Sequence, residues 1–139
     1  MASTLESSLP AGDLIVRAAA VINARRNGDY TVGDVGCALV TAAGNVHVGV
    51  CIDAMSGMGF CAEHNAIGAM VTAGETRIAR IVAVWKEGAD TYVVAPCGRC
   101  RQFIFETDKG NLDTEILLGP GQSAPLRDLL PFANSFRKI

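Results

Sequence analysis

No stretch of this chain approaches the roughly 20 consecutive apolar residues that a membrane-spanning helix needs. Its N-terminus lacks the basic-then-apolar order of a secretory signal. Lysine and arginine never cluster: 12 basic and 14 acidic side chains give a net charge of −2, without the dense positive surface that a phosphate backbone demands. Aromatic residues are only 6% of the chain, which argues against an added stacking platform for nucleic acid strands. Internal repeats and low-complexity segments are absent. These gaps argue against a membrane protein or a polynucleotide binder and predict a cytoplasmic protein with a small, weakly charged partner.

What is present is a 139-residue chain, half of it apolar, enough for one core and too short for two. Residues 1–12 read as a loose N-terminal tail and residues 13–139 as a single domain. Five cysteines, an odd number, favour metal or catalytic use over a disulfide framework. Cys37 and Cys51 lie in apolar, strand-like surroundings, where a free cysteine is a small hydrophobe.

Helical spacing of Leu14, Ile15, Ala18, Val21 and Ile22 predicts an opening helix, with Asp13 as N-cap and Asn27-Gly28 as stop. Asp29 to Gly33 reads as a turn. Val35–Thr41 and Val46–Ile52 flank the turn Ala42–Asn45 and predict a hairpin, in which His47 is read as structural. Ala54 to Phe60 reads as an adaptable loop. A second helix runs from Cys61 to Ala73 and closes at Gly74. Ile78–Trp85 and Tyr92–Ala95 are strand-like, and Pro96 suits the first position of a third helix. Glu115–Leu118 forms another short strand, Gly119-Pro120-Gly121 a tight connection, and Leu126 to Leu130 a brief helix stopped by Pro131. The alternation predicts an α/β fold, a mixed sheet covered by helices on both faces.

Two motifs hold the chemistry: Cys61-Ala62-Glu63-His64 and Pro96-Cys97-Gly98-Arg99-Cys100-Arg101-Gln102. Cysteines three apart at a helix start point two sulfurs at one metal, and the helix N-terminus favours their thiolate form. Cys61 repeats this logic, so Cys61, Cys97 and Cys100 fill three corners of a zinc tetrahedron and leave the fourth for water. Glu63, two residues past a ligand, reaches that water without becoming a ligand, as a general base must. His64 and Arg99, each beside a ligand, are candidates for hydrogen bonds to sulfur. Two plainer readings compete. A structural zinc site would take a fourth ligand from His64, Cys51 or Cys37, and a metal-free redox pair would leave Cys61-Ala62-Glu63 unexplained.

The two motifs together resemble the cytidine deaminase family, in its small-subunit, all-cysteine branch that also holds blasticidin S deaminases. Tyr30-Thr31-Val32-Gly33, the hairpin, both motif helices and Leu129-Leu130-Pro131 extend the resemblance over most of the chain. It implies a three-layer sandwich with a five-stranded mixed sheet, a homotetramer, and a role in pyrimidine nucleoside salvage. It further implies hydrolytic deamination of a cytosine nucleoside, with Glu63 protonating ring N3 and carbonyls near Ala95 and Pro96 holding the departing amine. Tyr30 matches an aromatic that lines the family pocket. Cys51-Ile52-Asp53 stands where the family carries Asn-x-Glu for ribose hydroxyls, so Cys51 and Asp53 are substrate-binding candidates and the nucleoside is left open. The alternatives are a blasticidin S-type deaminase and a non-catalytic zinc-stabilised binding module.

Overall fold

In the computed structural model, which describes residues 9–139, alternation along one long strand sets the layers. The elements are α1 (Ala11–Ala20), β1 (Arg25–Asn27), β2 (Tyr30–Thr41), β3 (Val46–Ile52), α2 (Ala62–Thr72), β4 (Ile78–Glu87), β5 (Asp90–Val94), α3 (Gly98–Thr107), β6 (Glu115–Gly119), β7 (Gln122–Pro125) and α4 (Leu126–Leu129). In β2, Cys37 and Leu39 join the core beneath α2 and α3, with Ala66, Ile67, Met70 and Ile104. Their neighbours Ala38 and Val40 join the opposite core beneath α1, with Leu14, Ala18, Val82 and Val84. Side chains of successive strand residues face opposite ways, so one strand buried on both faces defines a helix–sheet–helix sandwich.

The sheet is mixed, with β4 and β6 parallel and the remaining pairs antiparallel. It has seven strands rather than the expected five. The two strands beyond the expected five are β1 and β7. β1 pairs with Tyr30–Val32, just before β4 takes over along Val35–Thr41, and β7 pairs with β6 at the far edge.

Several boundaries differ from the sequence expectation. The first helix starts at Ala11 after Pro10, two residues before Asp13, and ends at Ala20. Residues 25–27 turn back through Gly28, at φ 64°, and pair with β2, so Asp29 to Gly33 is mostly strand. Gly119-Pro120-Gly121 closes a hairpin onto β7, which the sequence reading missed. The tail expectation for residues 1–8 lies outside the described residues. His47 pairs with Glu75 at 3.4 Å, a structural contact.

Close approach of α2 to the sheet depends on a missing side chain. A Cβ on Gly49 would lie 2.5 Å from the Ala66 backbone nitrogen and 2.7 Å from Asn65 Cβ. Asn65 in turn donates from its side-chain amide to the Val50 carbonyl at 2.5 Å, tying α2 to β3. Gly49→Ala is expected to cost about 1–3 kcal/mol by overpacking. Gly68→Ala, on the open face of α2, is expected to stabilise by about 0.5–1 kcal/mol. Urea unfolding of the two variants beside the parent chain measures both.

Candidate active site

Helices α2 and α3 both begin at cysteines. Cys61 (ψ 159°) and Cys97 (ψ 169°) have the extended backbone of N-caps, so each precedes its helix rather than lying in the first turn. Pro96 consequently stands one residue before the cap and not at the first helical position. The Cys97 sulfur accepts from the Cys100 N–H at 3.5 Å, folding the Cys-x-x-Cys loop around itself. Arg101 fixes the approach by donating to the carbonyls of Pro96 (2.9 Å) and Leu129 (3.2 Å).

The sulfurs converge. Cys61 Sγ lies 3.7 Å from Cys97 Sγ, which lies 3.4 Å from Cys100 Sγ. Zinc–sulfur bonds of about 2.3 Å give a tetrahedral edge of about 3.8 Å, so the thiol spacing fits a zinc ion. His64 Nδ1 stands 3.6 Å from Cys100 Sγ, and the ligand atoms of Cys61, His64 and Cys100 all fall within 4.8 Å of one another. The His64 ring is stacked on Phe103, with centroids 4.3 Å apart and planes 4° from parallel. Cys61 and Cys100 are thus shared by two overlapping sets of donors, the three sulfurs and the Cys61–His64–Cys100 group.

Without metal, the thiols compete over protons. Burial and then the Glu63 charge hold Cys100 far above the ordinary thiol range, and burial raises Cys61. Burial also acts to raise Cys97, but the Cys100 N–H and neighbouring thiols outweigh it and bring Cys97 below its usual value. Glu63 is 6% exposed, and burial raises its carboxyl against opposing hydrogen bonds from its own backbone and from Cys100. Among the described residues no cation pairs with it. Burial, then the Arg99 charge, lowers His64.

Beside these groups lies a pocket of about 660 Å³. Cys61, Glu63, Cys97 and Ala95 line it, as do the expected Tyr30, Cys51, Asp53 and Arg99. Pro96 is buried and lines a small void behind Glu63 with Ile81 and Ile116. The Arg99 guanidinium donates to the Gly59 carbonyl at 3.3 Å and sits 6.0 Å from the Phe60 ring centroid, while the Arg99 backbone N–H is among the groups that lower the Cys97 thiol. The sequence reading passed over Phe60 and Asp34 as pocket residues. Asp34 carries a recognisable signal: a carboxylate interrupting the apolar run Val32-Gly33-Asp34-Val35 must find a polar use for itself.

Sandwich and thiol cluster together define a small α/β zinc protein whose metal-binding end opens into a ligand-sized pocket. Residues 13–112 match the cytidine and deoxycytidylate deaminase zinc-binding region, and the chain belongs to that family of zinc-dependent deaminases. Among solved structures it is similar to the cytidine deaminase of Burkholderia pseudomallei, at 30% identity and a TM-score of 0.71, covering 90% of this chain and 99% of that one. The Mycobacterium tuberculosis cytidine deaminase is 28% identical with a TM-score of 0.74, covering 91% and 98%. The Mycobacterium leprae enzyme is 26% identical with a TM-score of 0.72, covering 89% and 99%.

A metal that binds only the folded chain stabilises it by mass action. With free zinc a hundredfold above its dissociation constant, the gain is about 2.7 kcal/mol. Chelation is therefore expected to lower the melting temperature of the zinc-loaded protein, and readdition of zinc to restore it. Calorimetry before and after chelation checks both.

Proposed function

We propose that the chain hydrolyses the exocyclic amine of a cytosine nucleoside, with residues 13–139 acting as one catalytic unit and Cys61, Cys97 and Cys100 holding the zinc. The observation that carries this reading is the buried, cation-free Glu63 beside the converging sulfurs at the inner end of the pocket. When bound there, zinc supplies the Lewis acidity that brings the pKa of water toward neutrality. Water adds at ring C4, the C4–N bond breaks, ammonia leaves, and the ring becomes the uracil form. Glu63 moves the two protons of the water, one to ring N3, where it stays, and the other to the departing amine. Tyr30, Ala95 and the carbonyl side of Pro96 bound the ring. His64, braced by Phe103, hydrogen-bonds the Cys100 sulfur instead of ligating.

The activities of the three bacterial relatives, named as cytidine deaminases, support the substrate class. Family resemblance also supports a cytoplasmic homotetramer, and the exposed Met55, Met58 and Phe60 beside the pocket mouth are apolar surface that a neighbouring subunit would cover. Sedimentation equilibrium is expected to give four chains per particle.

The test of the reaction is ammonia release from cytidine, deoxycytidine, cytosine and blasticidin S. Turnover of at least one is expected, and Glu63→Gln is expected to lower kcat by about 10²–10⁴-fold. Zinc analysis of two further variants separates the ligand sets: Cys97→Ser is expected to lose the metal and His64→Ala to keep it. A zinc-loaded parent chain inert toward every 4-aminopyrimidine would end the enzymatic reading.

A further inference from the structure

The outer end of the pocket holds an arrangement that the deaminase chemistry does not use. Asp34 is half-buried, lines the pocket, and pairs with no cation among the described residues. Its Oδ1 accepts a hydrogen bond from the Cys51 thiol at 2.9 Å. That sulfur in turn accepts from the Val35 N–H at 3.4 Å. Cys51 is 8% exposed, with its donor and an acceptor lone pair both committed. It therefore lines the pocket as a brace for Asp34. The second carboxylate oxygen of Asp34 has no hydrogen-bond donor among the described side chains and retains its capacity to accept.

Position along the strand gives this carboxylate its target. Cys37, three residues further along β2, packs in one core with Ala62, the neighbour of Glu63. Three strand residues span about 10 Å, which sets Asp34 toward the part of a ligand remote from the amine that Glu63 serves. Asp53 lines the same pocket. The one cation lining the pocket, Arg99, is exposed and turned to the Gly59 carbonyl and the Phe60 ring. A phosphate placed beside Asp34 would meet two carboxylates with little compensation, whereas a hydrogen-bond donor there would complete an unsatisfied acceptor.

We propose that Asp34, braced by Cys51, is the specificity-determining residue of the pocket: it selects substrates whose non-ring end carries a hydrogen-bond donor, a hydroxyl or an ammonium, and rejects those carrying a phosphate. This rests on the deaminase reading, and the experiment separates the two. Binding is measured by calorimetry on the zinc-loaded Glu63→Gln chain, and turnover on the zinc-loaded chain with Glu63 intact. The probes are cytidine, cytidine 5′-monophosphate, free cytosine, and a cytosine nucleoside with an amino group on its sugar. Cytidine is expected to bind more tightly than its monophosphate, and Asp34→Asn, which keeps the shape and removes the charge, to shrink that ratio about tenfold or more. In turnover, Asp34→Asn is expected to raise KM for cytidine, and Cys51→Ala to give a smaller rise in the same direction.

A greater loss on the amino sugar than on cytidine assigns the ammonium as the preferred donor, and an equal loss assigns the hydroxyl. An unchanged nucleoside-to-nucleotide ratio in Asp34→Asn overturns the proposal even if turnover is normal. A changed ratio in binding with no turnover by the chain with Glu63 intact upholds the role of Asp34 and overturns the deaminase reading instead.

Discussion

Three clustered sulfurs, with Cys97 within a tetrahedral edge of both Cys61 and Cys100, are the constraint on which the rest of this structure depends. Isolated thiols at that spacing crowd one another's charge as they ionise, and burial makes each thiolate more costly still. The fold answers by starting two helices at the cluster, so that both positive dipole ends face it. Everything that positions those two starts then becomes part of the site. Gly49 lets α2 lie against β3, Asn65 fastens it there, and Arg101 holds the Pro96 approach to α3 against the end of α4. The sandwich is in this sense a device for aiming two N-termini.

The same geometry divides the pocket into two ends of different character. At the inner end the buried carboxylate of Glu63 stands beside the clustered sulfurs. At the outer end two carboxylates line a more exposed wall, with Arg99 engaged elsewhere. On the reading proposed above, the first end carries the reaction and the second the choice of substrate. Cys51 links them in an unexpected way, since it lies on the strand that leads toward Cys61 yet spends its hydrogen bonds on Asp34.

Much of this was legible in the chain itself. Cysteines three apart after a proline, and a glutamate two past a third cysteine, carry their chemistry in local spacing, because one helical turn suffices to arrange them. The β2–β3 hairpin and the two-sided helical cover also follow from local pattern. What was hidden depends on contacts across the sheet. Val21 and Ile22 continue the helical periodicity of α1, which masked the turn that brings Arg25–Asn27 onto β2. The four residues of β7 are too short and mixed to announce a strand, and only pairing with β6 makes them one. Asp34 fell between the expected turn and the expected strand, and only β3, by placing Cys51 beside it, gives it a partner.

The most direct test of the account is X-ray absorption at the zinc edge of the zinc-loaded chain. The arrangement of Cys61, Cys97 and Cys100 predicts three sulfur neighbours at about 2.3 Å and one lighter neighbour at about 2.0 Å, without the multiple-scattering pattern of an imidazole. A spectrum with two sulfurs and a histidine ring, or with four protein ligands and no open position, would contradict it.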